Sequence, residues 1–268
     1  MDKQLFFICF LTFVIHLVGT LAYSVRIAGI RTRRIAVSLA MFSLLTLVAR
    51  TSNSFLSPLL AKRVESSLPG QGISADLLWD FRWLLISASL ATLVGAILIP
   101  TCQRVFCRAV LHFQVHRSIP TLIMHGVFKG GLSYVKEVAS MPAVANVTGV
   151  HKGHGVSLKI TLMNLVSFAL WTVGVFAALY AGVLDPSVRV TSSTLSSIIN
   201  GGATIAMAIF IDPHMSGLTD DVVEGRVGES QFRKAVVWLV GSRLAGTVLA
   251  QLLLVPSALL IVYVARAL

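Results

Sequence analysis

Apolar residues in this chain come in long runs, without the strict alternation of a half-buried strand. The runs cover roughly residues 5–25, 35–58, 81–100, 160–183, 191–211 and 235–264. Each is close to the ~20 residues an α-helix needs to cross a hydrocarbon layer ~30 Å thick. Lipid offers backbone N–H and C=O groups no partner, so such segments fold as helices that satisfy themselves. The pattern predicts an all-α polytopic membrane protein, a single membrane domain over 1–268 with about six transmembrane helices. The third span is expected to stop at Pro100, and the sixth to tilt or to bend at Pro256.

The stretch 101–159 is too long for an ordinary helix–helix connection. Within it Arg104, Arg108, His112 and His116 recur every four residues, while Val105, Phe106, Val110 and Phe113 fall mostly on other faces. That spacing predicts a basic amphipathic cytoplasmic segment lying in the interface plane. Beyond Pro120 the apolar run 121–150 is broken by Gly126, Gly130, Gly131, Pro142 and Gly149. A re-entrant segment and a cytoplasmic cap both fit it. Arg34-Ile-Ala-Val-Ser-Leu and Lys234-Ala-Val-Val-Trp-Leu are alike too faintly to establish internal symmetry.

Composition narrows the class. Of 268 residues 56% are apolar and only 12% charged, where a soluble domain has about a quarter charged. Mean hydropathy is +0.84. A soluble two-domain enzyme, a secreted disulfide scaffold and a disordered chain are excluded. The net charge of +11 would suggest nucleic acid in a soluble protein. Here the basic residues cluster between apolar runs with no interleaved stacking surface, so the expected partners are membrane lipids and anionic head groups, not nucleic acid.

The cluster Arg26, Arg31, Arg33 and Arg34, the seven Lys/Arg of 101–159, and Arg226, Arg233 and Lys234 outweigh the opposite side. The positive-inside rule therefore places loops 1, 3 and 5 in the cytoplasm and both termini outside. Asp2 and Lys3 cancel where a signal peptide would be positive, so the first run reads as an uncleaved helix. Cys9, Cys102 and Cys107 form no CxxC and read as inert buried thiols. His112 and His116 have metal spacing without the accompanying Glu, and no nucleotide or nucleophile-elbow motif occurs. Neither a metal nor a cofactor is expected.

Ionisable groups inside a membrane are costly and mark function by default. Arg50, placed by the 35–58 span nearer the outer boundary, and Arg243 in span 6 are candidates to bind a phosphate, for which a permanently charged planar guanidinium is suited. The alternatives are that Arg50 snorkels outward and that Arg243 pairs with a helix carbonyl or with Asp212. His16, Asn164, Asn200 and Gln251 read either as helix-to-helix hydrogen bonds or as part of a polar path. Span 5, with Thr191-Ser-Ser-Thr194, Ser196, Ser197 and Asn200-Gly201-Gly202, has a polar face that suits a cavity or helix packing. Asp220, Asp221 and Glu224 suit either a Mg²⁺ site on a prenyl pyrophosphate or a helix cap headed by Thr219 or Asp220.

The block His16-Leu-Val-Gly-Thr20-Leu-Ala-Tyr23-Ser24-Val-Arg26-Ile-Ala-Gly29-Ile-Arg31-Thr32-Arg33-Arg34, the Arg50-Thr51-Ser52-Asn53 run, and Asp212-Pro213 with Ser216, Thr219, Asp220, Asp221 and Phe232-Arg233 resemble the Amj family. These are lipid II flippases alternate to the MurJ type of bacterial wall synthesis. The likeness extends over essentially the whole chain. The chain departs at Gly19, where the resemblance implies an acidic residue, so a membrane carboxylate and any proton-coupling role there are missing. The resemblance implies a flippase of the bacterial cytoplasmic membrane, not an enzyme, that moves lipid II from the inner to the outer leaflet. On that reading Arg31, Arg33, Arg34, Arg50, Arg243 and Asn200 meet the pyrophosphate and head group. His16, Asp212, Asp220, Asp221 and Glu224 serve coupling or gating. The alternative is an intramembrane Mg-dependent enzyme acting on polyprenyl (pyro)phosphates; a small-solute exporter would not need so basic a cytoplasmic segment.

Overall fold

The computed structural model describes residues 2–66, 75–116, 139–142 and 156–268. Among them there is no strand. The helices are α1 (Lys3–Thr32), α2 (Ile35–Ser66), α3 (Ala75–His116), α4 (Leu158–Leu184), α5 (Arg189–Ala206), α6 (Asp212–Val223) and α7 (Glu229–Ala267). A 3-10 turn, Pro186–Val188, leads into α5, and a π-helical turn, Met207–Ile211, joins α5 to α6. With α5, the π turn and α6 forming one continuous rod, six helices are long and apolar enough to cross a membrane. The protein is a multi-pass membrane protein.

Local chemistry sets the helix ends. The Asp2 carboxylate accepts the Leu5 N–H at 2.7 Å and caps α1. Arg33, in the left-handed region at φ 54°, donates its N–H to the Gly29 and Ile30 carbonyls and closes the helix. The chain reverses at once into α2, where the Ser38 hydroxyl donates to the Val25 carbonyl at 2.5 Å. The third span, expected to stop at Pro100, does not stop there. α3 continues through Pro100 to His116, so 101–116 is not a separate interfacial helix. Proline removes one backbone bond, to the Ala96 carbonyl, but packing on both sides holds the helix together. Leu84, Leu85, Ala88 and Ala91 are buried before it, and Val110 is buried with Val25 and Met41 after it. At ~1.5 Å per residue α3 is about 60 Å long, roughly twice the hydrocarbon thickness. The 121–150 expectation concerns residues almost all outside the described ones.

Packing divides the helices into two triplets. α1 lies between α2 and α3, and α4 lies between α5 and α7; in each triplet the second and third helices scarcely meet. Asp2, Arg63 and Asp80 join the starts of α1 and α3 to the end of α2. The Gln251 amide of α7 donates to the Arg82 carbonyl of α3 at 3.1 Å, which brings the C-terminal half of α7 to that same end. Asp185, where α4 ends, binds Arg266 there at 2.7 Å. α4 therefore runs opposite to α1, and the triplets repeat one packing scheme in opposite directions. The correspondence is α1 with α4 and α3 with α7, so a comparison of residues 34–39 with 234–239 sets the start of α2 against the start of α7 and is out of register.

α4 and α7 approach closely at Gly246. A Cβ there would stand 2.5 Å from the Leu165 carbonyl oxygen and 3.1 Å from the Ala169 nitrogen. Backbone cannot rotate away as a side chain can. Gly246→Val is expected to destabilise the protein by about 1–3 kcal/mol, read as a lower thermal unfolding midpoint in detergent.

The Asp185 clamp is the acid-sensitive one. Hydrogen bonds from the Ser187 hydroxyl, then from Arg266, hold its carboxyl below the ordinary aspartate value. A depressed carboxyl contributes stability above its unfolded pKa of about 3.9 and loses it as pH falls through the folded value. The gap in unfolding temperature between wild type and Asp185→Asn is thus expected to be open at neutral pH and to close in strong acid.

Candidate functional site: a polar cleft between the two triplets

Thr12, His16, Gly19, Tyr23 and Arg26 recur every three or four residues and share one face of α1. That face meets the second triplet. Arg243 of α7 is 4% exposed and has no carboxylate partner among the described residues. Its guanidinium carbon sits 4.2 Å from the centre of the Phe168 ring, a cation–π contact. Its Nη2 reaches the His16 carbonyl at 3.5 Å, and its Nε has no partner among the described residues. The guanidinium lies against Gly19, where a Cβ would collide with it. Gly19 faces this arginine, and no carboxylate among the described residues offsets its charge. Of the readings open for Arg243, the helix carbonyl is the contact seen; Asp212 instead binds Arg26 at 3.1 Å, and Arg26 also stacks 5.2 Å from the Phe42 ring.

On the other side of His16 lies a small cleft of about 30 Å³, lined by Thr12, Ile15, His16 from α1, Asn53 and Leu56 from α2, Trp171, Thr172, Val175 and Phe176 from α4, and Asn200 from α5. His16 packs edge-on to Trp171 at 5.3 Å between ring centres. Toward the Asp2 end, contacts of Phe81 with Phe176 at 6.2 Å and with Tyr180 at 5.9 Å close the bundle.

The cleft is flanked by helices whose backbones stand apart: no Cα of α2 comes within 8 Å of one in α5. Each turns a polar stripe outward. On α2, Ser43, Thr46, Arg50, Asn53, Ser54 and Ser57 fall on one face at about 100° per residue; Arg50, Ser43, Ser54 and Ser57 are exposed. On α5, Ser193, Ser196, Ser197, Asn200 and Thr204 do the same. Several hydroxyls donate to their own helix, Ser43 to Leu39, Ser54 to Arg50, Ser196 to Ser193 and Thr204 to Asn200. Their oxygens remain as acceptors. The α2 stripe is readable from the helical period of its polar residues; a scan for isolated charges picks out Arg50 alone.

Because α2 runs on to Ser66, Arg50 lies halfway along the helix. It does not line the cleft, and it does not meet Arg243. Asn164 and Gln251 are helix-to-helix staples: Asn164 donates to the Leu239 carbonyl at 2.9 Å and to the Ser242 hydroxyl at 2.7 Å. Arg31 is paired to Glu229 at 2.8 Å, while Arg33 and Arg34 are exposed at the α1–α2 turn.

The acidic run is not a cap, since Thr219 and Asp220 lie in the last turns of α6. Carboxylates at that negative helix end are unfavourable alone; Arg226 offsets them, binding Asp221 at 2.8 Å and Glu224 at 2.5 Å. Asp220 is exposed. Among the described residues no group of three or more His, Cys, Asp or Glu side chains is placed to hold a metal.

No solved structure matches the chain. A curated relative, the lipid II flippase Amj of Bacillus subtilis (strain 168), is 35% identical over 272 residues, which span 98% of this chain and 97% of the relative. The family model Amj, described as alternate to MurJ, matches residues 11–265. With six membrane-crossing helices and similarity from end to end, the chain belongs to the Amj family.

Proposed function

We propose that the protein is a flippase, a transporter and not an enzyme, that carries undecaprenyl-pyrophosphate-linked peptidoglycan precursor (lipid II) from the inner to the outer leaflet of the bacterial cytoplasmic membrane, with both termini outside. The relative's name supports the substrate. The observation that carries the mechanism is the pair of polar stripes on α2 and α5, two helices set apart on either side of a cleft. A prenyl tail can stay in lipid throughout, while a charged pyrophosphate with a sugar-peptide attached needs a polar path open at its side. An exposed arginine halfway along a membrane helix costs several kcal/mol if it faces hydrocarbon, so Arg50 argues that this side is polar.

Arg31, Arg33 and Arg34 gather the head group at the cytoplasmic end, and Arg50 and Arg243 receive the pyrophosphate deeper. Sugar hydroxyls, as donors, suit the acceptor oxygens of the stripes. Gating falls to the ion pairs Arg26–Asp212 and Arg31–Glu229, which tie α1 to the second triplet. An arriving pyrophosphate competes with Asp212 and Glu229 for those arginines and loosens the tie. Asp220, Asp221 and Glu224 adjoin this hinge, and His16 senses the cleft. A potential negative inside favours outward movement by ~2.3 kcal/mol per uncompensated charge per 100 mV.

The test is depletion in a strain lacking other flippases, with labelling of outer-leaflet lipid II. Loss of labelling with accumulation of unmodified lipid II inside supports the reading; undiminished labelling overturns it. The Mg-enzyme alternative requires a chelator-sensitive, covalently altered product, and the Arg226 pairing of Asp221 and Glu224 disfavours it.

A further inference from the structure

The cleft beside His16 is lined by no charged side chain, although Arg50 and Arg243 lie near. Its lining carries two carboxamides, an imidazole, an indole and two hydroxyls. The Thr12 and Thr172 hydroxyls donate to the Ile8 and Phe168 carbonyls at 3.0 and 2.6 Å, leaving acceptor oxygens. The Asn200 Oδ1 and the His16 Nδ1 are buried without partners among the described residues, His16 is 4% exposed, and the Asn200 Oδ1 rests against Gly174 of α4, where a Cβ would collide with it. A buried amide oxygen without a donor is costly, and the two carboxamides come from different triplets. Ile15, Leu56, Val175 and the Trp171 ring line the same cleft. At about 30 Å³ the cleft as it stands admits about two waters' worth of atoms, less than an acetamide and far less than a saccharide, so a head-group amide enters only as α2 and α5 part.

The geometry points to a subsite for a neutral secondary amide of the head group: we propose that Asn53 and Asn200 grip such an amide, its N–H toward Asn200 Oδ1 and its oxygen toward the carboxamide N–H₂ groups, with its small apolar substituent against Ile15, Leu56 and Trp171. This deepens the flippase reading and rests on it. Charge and amide are then recognised separately, the pyrophosphate by arginines and the amide by the uncharged cleft. Two parts of a peptidoglycan precursor offer that chemistry, the acetamido groups of the sugars and the peptide stem.

Proteoliposomes holding the full chain are given lipid II, an analogue with hydroxyls replacing the acetamido groups, and an analogue lacking the stem. Initial rates of movement are compared. Wild type is expected to prefer lipid II by about tenfold over the analogue that lacks the gripped amide, the scale of one buried hydrogen-bonded group. Asn53→Leu and Asn200→Leu, close in size to the carboxamide and unable to hydrogen-bond, are expected to bring that ratio near one. Discrimination against the hydroxyl analogue assigns the amide to the sugar, and against the stem-free analogue to the peptide. If wild type moves all three equally, or if both variants keep its preference, the subsite is overturned while the flippase reading stands. If wild type moves none of them, the flippase reading itself fails.

Discussion

Arg243→Met is expected to abolish the appearance of lipid II in the outer leaflet, while the variant inserts normally and unfolds at the same temperature as wild type or a higher one. The two halves of this expectation pull in opposite directions, and that is its value. Arg243 is buried with no carboxylate beside it among the described residues; its partners are a carbonyl at 3.5 Å, the Phe168 ring and the open side of Gly19. A buried charge that lacks a counter-charge costs several kcal/mol, and replacing such groups by apolar ones of similar volume is often neutral or stabilising. A residue kept for structure would make the variant less stable. A residue kept for an anion would make it stable and inactive. Arg243→Lys, with the charge but no fork, should fall between in transport. A Met variant that flips lipid II at the wild-type rate, or that fails to fold, removes Arg243 from the path.

Much of the fold is legible in the sequence because lipid imposes one rule on every span: the backbone must satisfy itself. The six apolar runs therefore map onto the six long helices. Their ends are not legible. Pro100 reads as a stop because its lost hydrogen bond is visible in the sequence, whereas the packing of Val110 with Val25 and Met41 that outweighs it is not. The same applies to span 5, where the rod continues through a π turn to Val223 past Asp212-Pro213. In the site, Arg243, His16 and Asn200 stand out as polar intrusions; His16 and Asn200 line one cleft, and Arg243 meets the His16 carbonyl outside it. Asn53 does not stand out as a lining residue, because other small polar residues of α2 surround it. The acidic run imitates a helix start because carboxylates in a short polar stretch look alike at either helix end. Its place in the last turns of α6, with Asp221 and Glu224 paired to Arg226, tells the two apart. The opposed triplets share a packing scheme without a shared motif, so contact geometry reveals what sequence comparison could not.

A short thiol-reactive bridge between Asn53→Cys and Asn200→Cys, in a chain whose Cys9, Cys102 and Cys107 are replaced by serine, is expected to stop transport, and cleavage of the bridge to restore it. A cleft of about 30 Å³ cannot hold a sugar-peptide, so α2 and α5 must separate further as the head group passes. Both helices are held mainly by the first helix of their own triplet, α2 by α1 and α5 by α4, and the triplets are opposed in direction. Rocking of one against the other is then the low-cost motion: it breaks the Phe81 contacts with Phe176 and Tyr180 at one end, or the Arg26–Asp212 and Arg31–Glu229 pairs at the other, and leaves each triplet intact. A direct disulfide is too short, since the Cα atoms stand beyond 8 Å and disulfides rarely span more than ~7 Å. A long flexible linker between the same positions should leave transport nearly intact, which separates a locked gap from damage at the two asparagine sites. Equal rates with the short bridge closed and open would mean that the head group does not pass between these helices.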